Sequence, residues 1–296
     1  MTLTADWFRL TQLDSRVVSS CAMRIQFPFL QVTTLFIVTS AVCAQQPRVP
    51  QSTGRHTTPA HTPAKPEETE LWQPVPKVVT PGADCNAPPS DAIVLFDGHN
   101  LDEWVSRKDK SPAKWIVADG VLTVNKAVGD IETKRTFLNY QLHLEWKVPE
   151  NISGSGQARG NSGLFLASPP PGDGGYELQI LDSYKNPTYV NGQAGSIYKQ
   201  SIPLVNPTRK PGEWQVYDVV WTAPIFNADG SLKTSAFVTA FFNGILVQDH
   251  FAVKGETQYI GQPFYKKHGA APLRLQAHGD PSQPISFRNI WVRDLQ

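Results

Sequence analysis

The sequence predicts an all-β protein, a two-sheet antiparallel sandwich or jelly roll. Strand-like runs recur at roughly ten-residue intervals, divided by Gly, Pro, Asn and Asp. No segment keeps an apolar period of 3.6 residues for the length of a helix. Two runs turn back at Asp119-Gly120 and Asn243-Gly244, pairs suited to the positive-φ positions of a tight hairpin.

In order, "AIVLF" ends in the turn "DGHN", and "KWIVADGVLTVN" reads as a hairpin. "YQLHLEWKV" alternates, with Leu142, Leu144 and Trp146 on one face and His143, Glu145 and Lys147 on the other. The second face reads as sheet surface. "NSGLFLAS" follows a Gly-rich loop, and "YELQILD" sets Glu177 and Gln179 opposite Leu178 and Ile180. "WQVYDVVWTA", the hairpin "AFVTAFFNGILVQDH", "LRLQAHG" and "ISFRNIWVRDL" complete the set. Trp104, Trp115, Trp146, Trp214, Trp221 and Trp291 are mostly candidates for the core.

The 296 residues carry a formal charge of +1 and are 40% hydrophobic, enough for one sizeable core. No basic stripe with interleaved aromatics is present, which argues against a nucleic-acid partner. Residues 1–22 read as an upstream extension. Residues 23–44 read as a signal peptide: a basic start at Arg24, an apolar run from Phe27 to Val42 broken by Pro28 and Gln31, and cleavage after Ala44. The run is short for a membrane span, so no stable span is expected after processing; an uncleaved anchor or a lipid on Cys43 are the alternatives. Of Cys21, Cys43 and Cys85, only Cys85 would survive cleavage, so no internal disulfide is expected. Residues 45–90, rich in Pro and Thr, read as a disordered tether, and residues 91–296 as the folded domain. His99, His250 and His268 show no zinc spacing.

The blocks "VLFDGHNLDEW", "WIVADGVLTV", "GNSGLFL", "YELQILDSY", "GQAGSIY", "RKPGEWQVYDVVW", "FFNGILVQ", "LRLQAHG" and "ISFRNIWVRDL" stand in an order that resembles the 3-keto-disaccharide hydrolase family over Ile93 to Leu295. The resemblance implies a concanavalin A-like jelly roll. It also implies an exported enzyme acting on 3-keto-glycosides made by a partner sugar 3-oxidoreductase, by hydrolysis or by elimination and hydration. A ketone at C3 acidifies the C2 proton; a base removes it and the enolate expels the C1 substituent. No cofactor is required, although a divalent ion would polarise the ketone. "NSGLFLAS" departs from some members by placing Ala167 and Ser168 at its end.

In the family pattern the strand of Glu177 and Gln179 and the strand of Gln276 and His278 line one concave surface. Glu177 and His278 are the expected acid–base pair, either able to act as base. Gln179 and Gln276 are expected to hold hydroxyls, Tyr198 to donate to substrate, and Asn161 and Ser162 to form the rim. Arg288 is the candidate charge partner. Asp182 would join Glu177 on one face only through a β-bulge. The string Glu177-x-Gln179-x-x-Asp182 departs from the E-x-D-x-x-E of laminarinase-like jelly rolls, which leaves a two-carboxylate glycosidase as the second enzyme reading. A non-catalytic carbohydrate-binding module and a tethered structural surface protein are the competing functions.

Overall fold

The alternating stretch Tyr140–Lys147 runs through the middle of the larger of two sheets. The computed structural model describes residues 65–295, so the leader and most of the expected tether lie outside the described residues. Pro66–Thr69 is a single 3-10 turn. The strands that follow are β1 (Ile93–Phe96), β2 (Trp104–Ser106), β3 (Ile116–Ala118), β4 (Val121–Thr123), β5 (Ile131–Thr133), β6 (Tyr140–Lys147), β7 (Ser162–Phe165), β8 (Glu177–Ile180), β9 (Gln215–Thr222), β10 (Ile225–Phe226), β11 (Leu232–Thr234), β12 (Phe237–Phe242), β13 (Ile245–Ala252), β14 (Arg274–Leu275) and β15 (Ser286–Asp294).

The larger sheet runs β13-β12-β9-β6-β15-β4-β3, with β1 also paired to β15; the smaller runs β2-β5-β14-β7-β8, and β10-β11 form a separate ribbon. The inter-strand pairings are antiparallel, and the architecture is a β-sandwich of the jelly-roll type, as the turn spacing predicts. Both expected tight hairpins form. Asp119 and Gly120 take φ of 51° and 74°, and Asn243 and Gly244 take 52° and 78°, the left-handed pairs a two-residue hairpin needs.

The core lies between the sheets. Leu142, Leu144 and Trp146 of β6 meet Leu164 of β7 and Leu178 and Ile180 of β8 in one buried cluster. Trp104, Trp115 and Trp221 join it, and cutting one of these large aromatics to Ala would cost about 3–5 kcal/mol. Two buried hydroxyls bolt the layers together. Tyr140 Oη donates to Leu166 O at 2.5 Å, and Tyr217 Oη to Gln179 O at 2.7 Å. The second bolt fixes the backbone of β8 directly behind a candidate site residue.

The outer face of the larger sheet differs from expectation. His143 and Glu145 are buried, not surface residues. A bulge in β15 between Arg288 and Trp291, with Asn289 at φ 47°, puts Arg288 and Asn289 on the same outer face. Asn289 donates to Glu145 Oε1 at 2.9 Å, and Trp291 stacks on His143 at 5.2 Å. Part of the expected tether covers them. Ser90 and Thr80 exchange two hydrogen bonds, and Asn86 O accepts from Asn289 Nδ2 and Trp291 Nε1, each at 2.9 Å. Residues 80–90 are therefore a strap that satisfies buried donors, which a composition argument alone does not reveal. Trp214 also stands outside the core, under the cations of Lys147 and Arg288.

Candidate active site

Register on the smaller sheet arranges the polar side chains in rows. Phe165 of β7 lies opposite both Glu177 of β8 and Arg274 of β14, and Arg274 lies opposite Glu132 of β5. Directly opposed residues project to the same face. In the next row Gly163 lies opposite Gln179, and Gln276 donates its N–H to Gly163 O at 3.0 Å. Gly163 is the low point between two strands that carry side chains. A Cβ there would come within 2.6 Å of Glu177 Oε1. Glu177, Gln179, Gln276, His278, Asn161 and Tyr198 all line one cleft of ≈ 700 Å³.

Glu177 is only 6% exposed, and no ion pair reaches it among the described residues. Burial pushes its carboxyl up to about 8, and Asp130 adds to the rise while Arg274 opposes it. At neutral pH this carboxyl is a proton donor. Arg274 sits over the Phe165 ring, with Cζ 3.5 Å from its centre, and its Nη2 donates to Asp173 O at 2.9 Å. Gln179 Oε1 and Gln276 Oε1 are buried acceptors without a protein partner, free to take hydroxyl donors.

His278 is oriented from behind. Its Nδ1 lies 3.0 Å from Asp280 Oδ2, and Lys126 Nζ holds the same oxygen at 3.1 Å. Ser282 occupies Asp280 Oδ1 through its N–H, at 2.9 Å, and its hydroxyl. Burial alone would raise the Asp280 carboxyl, but hydrogen bonds from His278, Ser282 and Lys126 outweigh it and hold the group well below the usual range. Asp280 also points its N–H at Nδ1, at 3.2 Å; with the ring proton on Nδ1 and donated to the carboxylate, Nε2 is left as the ring's acceptor. Nε2 stands 3.4 Å from Asn161 Nδ2, which also donates to Gln157 O at 2.7 Å. Gln157 Oε1 in turn accepts from Gln179 Nε2 at 3.1 Å. Tyr198 Oη and Tyr189 Oη share a hydrogen bond of 2.5 Å at the rim.

Three expected residues are not brought to the cleft. Ser162 pairs opposite Ile180, so it projects to the core side, where its hydroxyl donates to Gln276 O at 2.7 Å. β8 ends at Ile180, and no bulge returns Asp182 to the face of Glu177. Its carboxylate is buried against Arg159 Nε at 2.7 Å, charges in contact without a linear hydrogen bond, and its Oδ1 accepts from Tyr184 N. Asp182 braces a loop instead of facing substrate. Arg288 is on the outer face of the other sheet, paired with Glu145 at 2.7 Å.

Other groups in or beside the cleft escaped the sequence reading. Arg274 lies two residues before Gln276, so strand alternation alone places it on that face. Asp280 carries a weaker signal, two residues after His278. Tyr189 and Tyr259 come from irregular loops and carry no periodic signal. Among the described residues no group of three or more His, Cys, Asp or Glu side chains is arranged to hold a metal ion.

Residues 91–293 match the family described as 3-keto-alpha-glucoside-1,2-lyase-like domain. A 3-keto-disaccharide hydrolase of Bacteroides thetaiotaomicron is 31% identical over 152 residues, covering 41% of this chain and 49% of its own; the chain thus spans about half the length of that curated relative. A candidate glycosyl hydrolase of Parabacteroides distasonis is 56% identical, with a TM-score of 0.73 over 78% of this chain and 97% of that one. Another from the same organism, 23% identical with a TM-score of 0.50 over 69% and 99%, shares the fold.

Proposed function

The chain belongs to the 3-keto-alpha-glucoside-1,2-lyase-like domain family, and on that premise we propose that it cleaves glycosides whose sugar ring carries a ketone at C3, with His278 as base and Glu177 as acid. The observation that carries this reading is the pairing, in one cleft, of a buried carboxyl raised to about 8 with a histidine whose Nδ1 is held by a carboxylate. A carboxyl that keeps its proton at neutral pH and an imidazole lining the same cleft are suited to the roles of acid and base.

His278 Nε2 takes the proton from C2. The C–H electrons form the enolate of the C3 ketone, and Asp280 stabilises the resulting imidazolium. The enolate collapses to a C1=C2 double bond, the C1–O bond breaks, and the leaving oxygen takes the Glu177 proton. Hydration reverses the roles. The Glu177 carboxylate takes a proton from water as its oxygen adds to C1, and His278 returns a proton to C2. Both groups end as they began, and the net change is hydrolysis. Gln179 and Gln276 accept from ring hydroxyls through their unpartnered oxygens, and Arg274 places a fixed cation beside Glu177. A two-carboxylate route through Asp182 is disfavoured, because that carboxylate is committed to Arg159.

Export through the leader at residues 23–44 and supply of substrate by a sugar 3-oxidoreductase are parts of the same proposal. The test compares a 3-keto-glucoside with its unoxidised parent in deuterated water, using the native chain, Glu177→Gln and His278→Ala. Turnover of the keto substrate alone, with deuterium at C2 and loss in both variants, is the expected result. Cleavage of the parent sugar, or saturable binding without turnover of either, overturns the proposal in favour of a direct glycosidase or a binding module.

A further inference from the structure

The cleft continues past Tyr198. Tyr189, Tyr198 and Tyr259 line it and also line a second hollow of ≈ 380 Å³. The amides of Asn191, Gln258 and Gln262 form much of that hollow's wall, and among the described residues no carboxylate lines it. Tyr259 is 73% exposed and Tyr189 41%, an unusual cost for rings that could have been buried.

The rings are held in place. Lys199 Nζ stands 4.3 Å from the Tyr259 ring centre and within 5.7 Å of those of Tyr198 and Tyr189. Its ammonium also donates to Tyr259 O, which ties the loop to the rim. Lys199 sits at φ 58°, with its N–H on Asn191 O at 2.8 Å. A non-glycine residue is kept in the left-handed region only where its surroundings fix it. Tyr198 N donates to Glu177 O at 3.1 Å, so this platform is anchored to the strand that carries the acid.

The lining chemistry selects a ligand. Exposed ring faces pack against C–H surfaces, and amides and phenols both give and accept hydrogen bonds. The sole cation in the wall among the described residues, Lys199, already serves Tyr259 O and the three rings, so an anionic ligand would have to compete for it, and a lipid tail meets amides. The hollow that adjoins the cleft elsewhere, through Phe165, Asp173 and Gln276, is by contrast walled by the charges of Arg107, Lys108, Asp130 and Arg274. We propose that the Tyr189–Tyr259 hollow is an added subsite for one neutral hexose unit, so that oligosaccharides reaching beyond the cleft bind more tightly than disaccharides. This deepens the reading of the cleft as a sugar site and rests on it.

Binding needs no turnover and separates the two ideas. Affinities of the full chain for cellobiose, cellotriose, maltose and maltotriose are measured by calorimetry. At least one trisaccharide should bind about five- to tenfold more tightly than its disaccharide. Tyr259→Ala should abolish that step, and Tyr259→Phe should keep it. No step in the native chain, or a step that survives in Tyr259→Ala, overturns the subsite. Cleavage of a 3-keto-disaccharide is tested separately, by turnover in the native chain, Glu177→Gln and His278→Ala, so failure of the binding step and failure of the cleavage reading are distinguishable.

Discussion

His278 Nδ1 lies 3.0 Å from Asp280 Oδ2, on an oxygen that Lys126 also holds at 3.1 Å. The carboxylate cannot turn away, because Ser282 occupies its other oxygen. It therefore holds the imidazole's orientation and is placed to accept a proton carried on Nδ1. Asp280→Asn should lower kcat about 10²–10⁴-fold with KM little changed. Steady-state kinetics on a 3-keto-glucoside checks the split, and an equal rise in KM would point to a merely structural role. Asp280 titrates low in the folded chain, so its stabilisation is present above its unfolded pKa and is lost as acid drives the pH down through the folded value. Asp280→Asn should therefore flatten the acid limb of a melting-temperature profile.

Glu177 carries the opposite sign. Burial raises it from 4.5 to about 8. Below pH 4.5 the folded and unfolded chains both hold the proton. Between those values the unfolded chain releases its proton first and the fold loses stability; above about 8 the loss is complete. Glu177→Gln should melt with the native chain near pH 4 and higher than it by pH 9. The same group predicts an alkaline fall in kcat/KM with an apparent pKa near 8, and a loss of about 10²–10⁴-fold in the variant.

Gly163 is the cleft's floor. An added Cβ would meet Glu177 Oε1 at 2.6 Å and Phe165 Cε2 at 3.1 Å. The carboxylate end of a side chain can yield, so Gly163→Ala should fold but hold its acid displaced. A shift of about 1 Å in a reacting group costs on the order of 10²-fold in rate. Circular dichroism and kinetics together test this; native activity with a native spectrum would show that the acid's position is not set here.

The outer-face cluster predicts a pH-dependent strap. His143 is buried with Asp218 Oδ1 on Nδ1 at 2.7 Å and Glu145 Oε1 3.5 Å from Nε2, and Arg288 pairs with Glu145 from the solvent side. Burial alone would lower the imidazole, but Asp218 and Glu145 outweigh it and raise it above the usual range. Its stabilisation is full below the unfolded histidine value, near 6.5, and is lost as pH rises through the folded one. Removing a buried group from this network should cost about 1–3 kcal/mol. His143→Gln should destabilise more at pH 6 than at pH 9, and hydrogen exchange of residues 80–90 should quicken in the variant. A pH-independent loss would contradict the charge argument.

Much of this was legible in the chain. Turn pairs at Asp119-Gly120 and Asn243-Gly244 fixed two hairpins, and alternation in "YELQILD" and "LRLQAHG" put Glu177, Gln179, Gln276 and His278 on usable faces. Alternation failed where it was interrupted. The bulge after Arg288 put Asn289 on the outer face beside it, and the end of β8 at Ile180 freed Asp182 to pair with Arg159.

The sequence by itself determined the period, and the period determined which side chains share a strand face. Only the tertiary structure decided which faces meet. It laid Gly163 between Gln179 and Gln276, brought Asp280 and Lys126 together behind His278, and drew Tyr189 and Tyr259 from distant loops to one rim. It also buried His143 beneath a strap that composition marks as tether. The physical reason is range. Strand alternation is a property of neighbouring residues, whereas burial, the raised carboxyl of Glu177 and the convergence of loops depend on contacts between residues far apart along the chain.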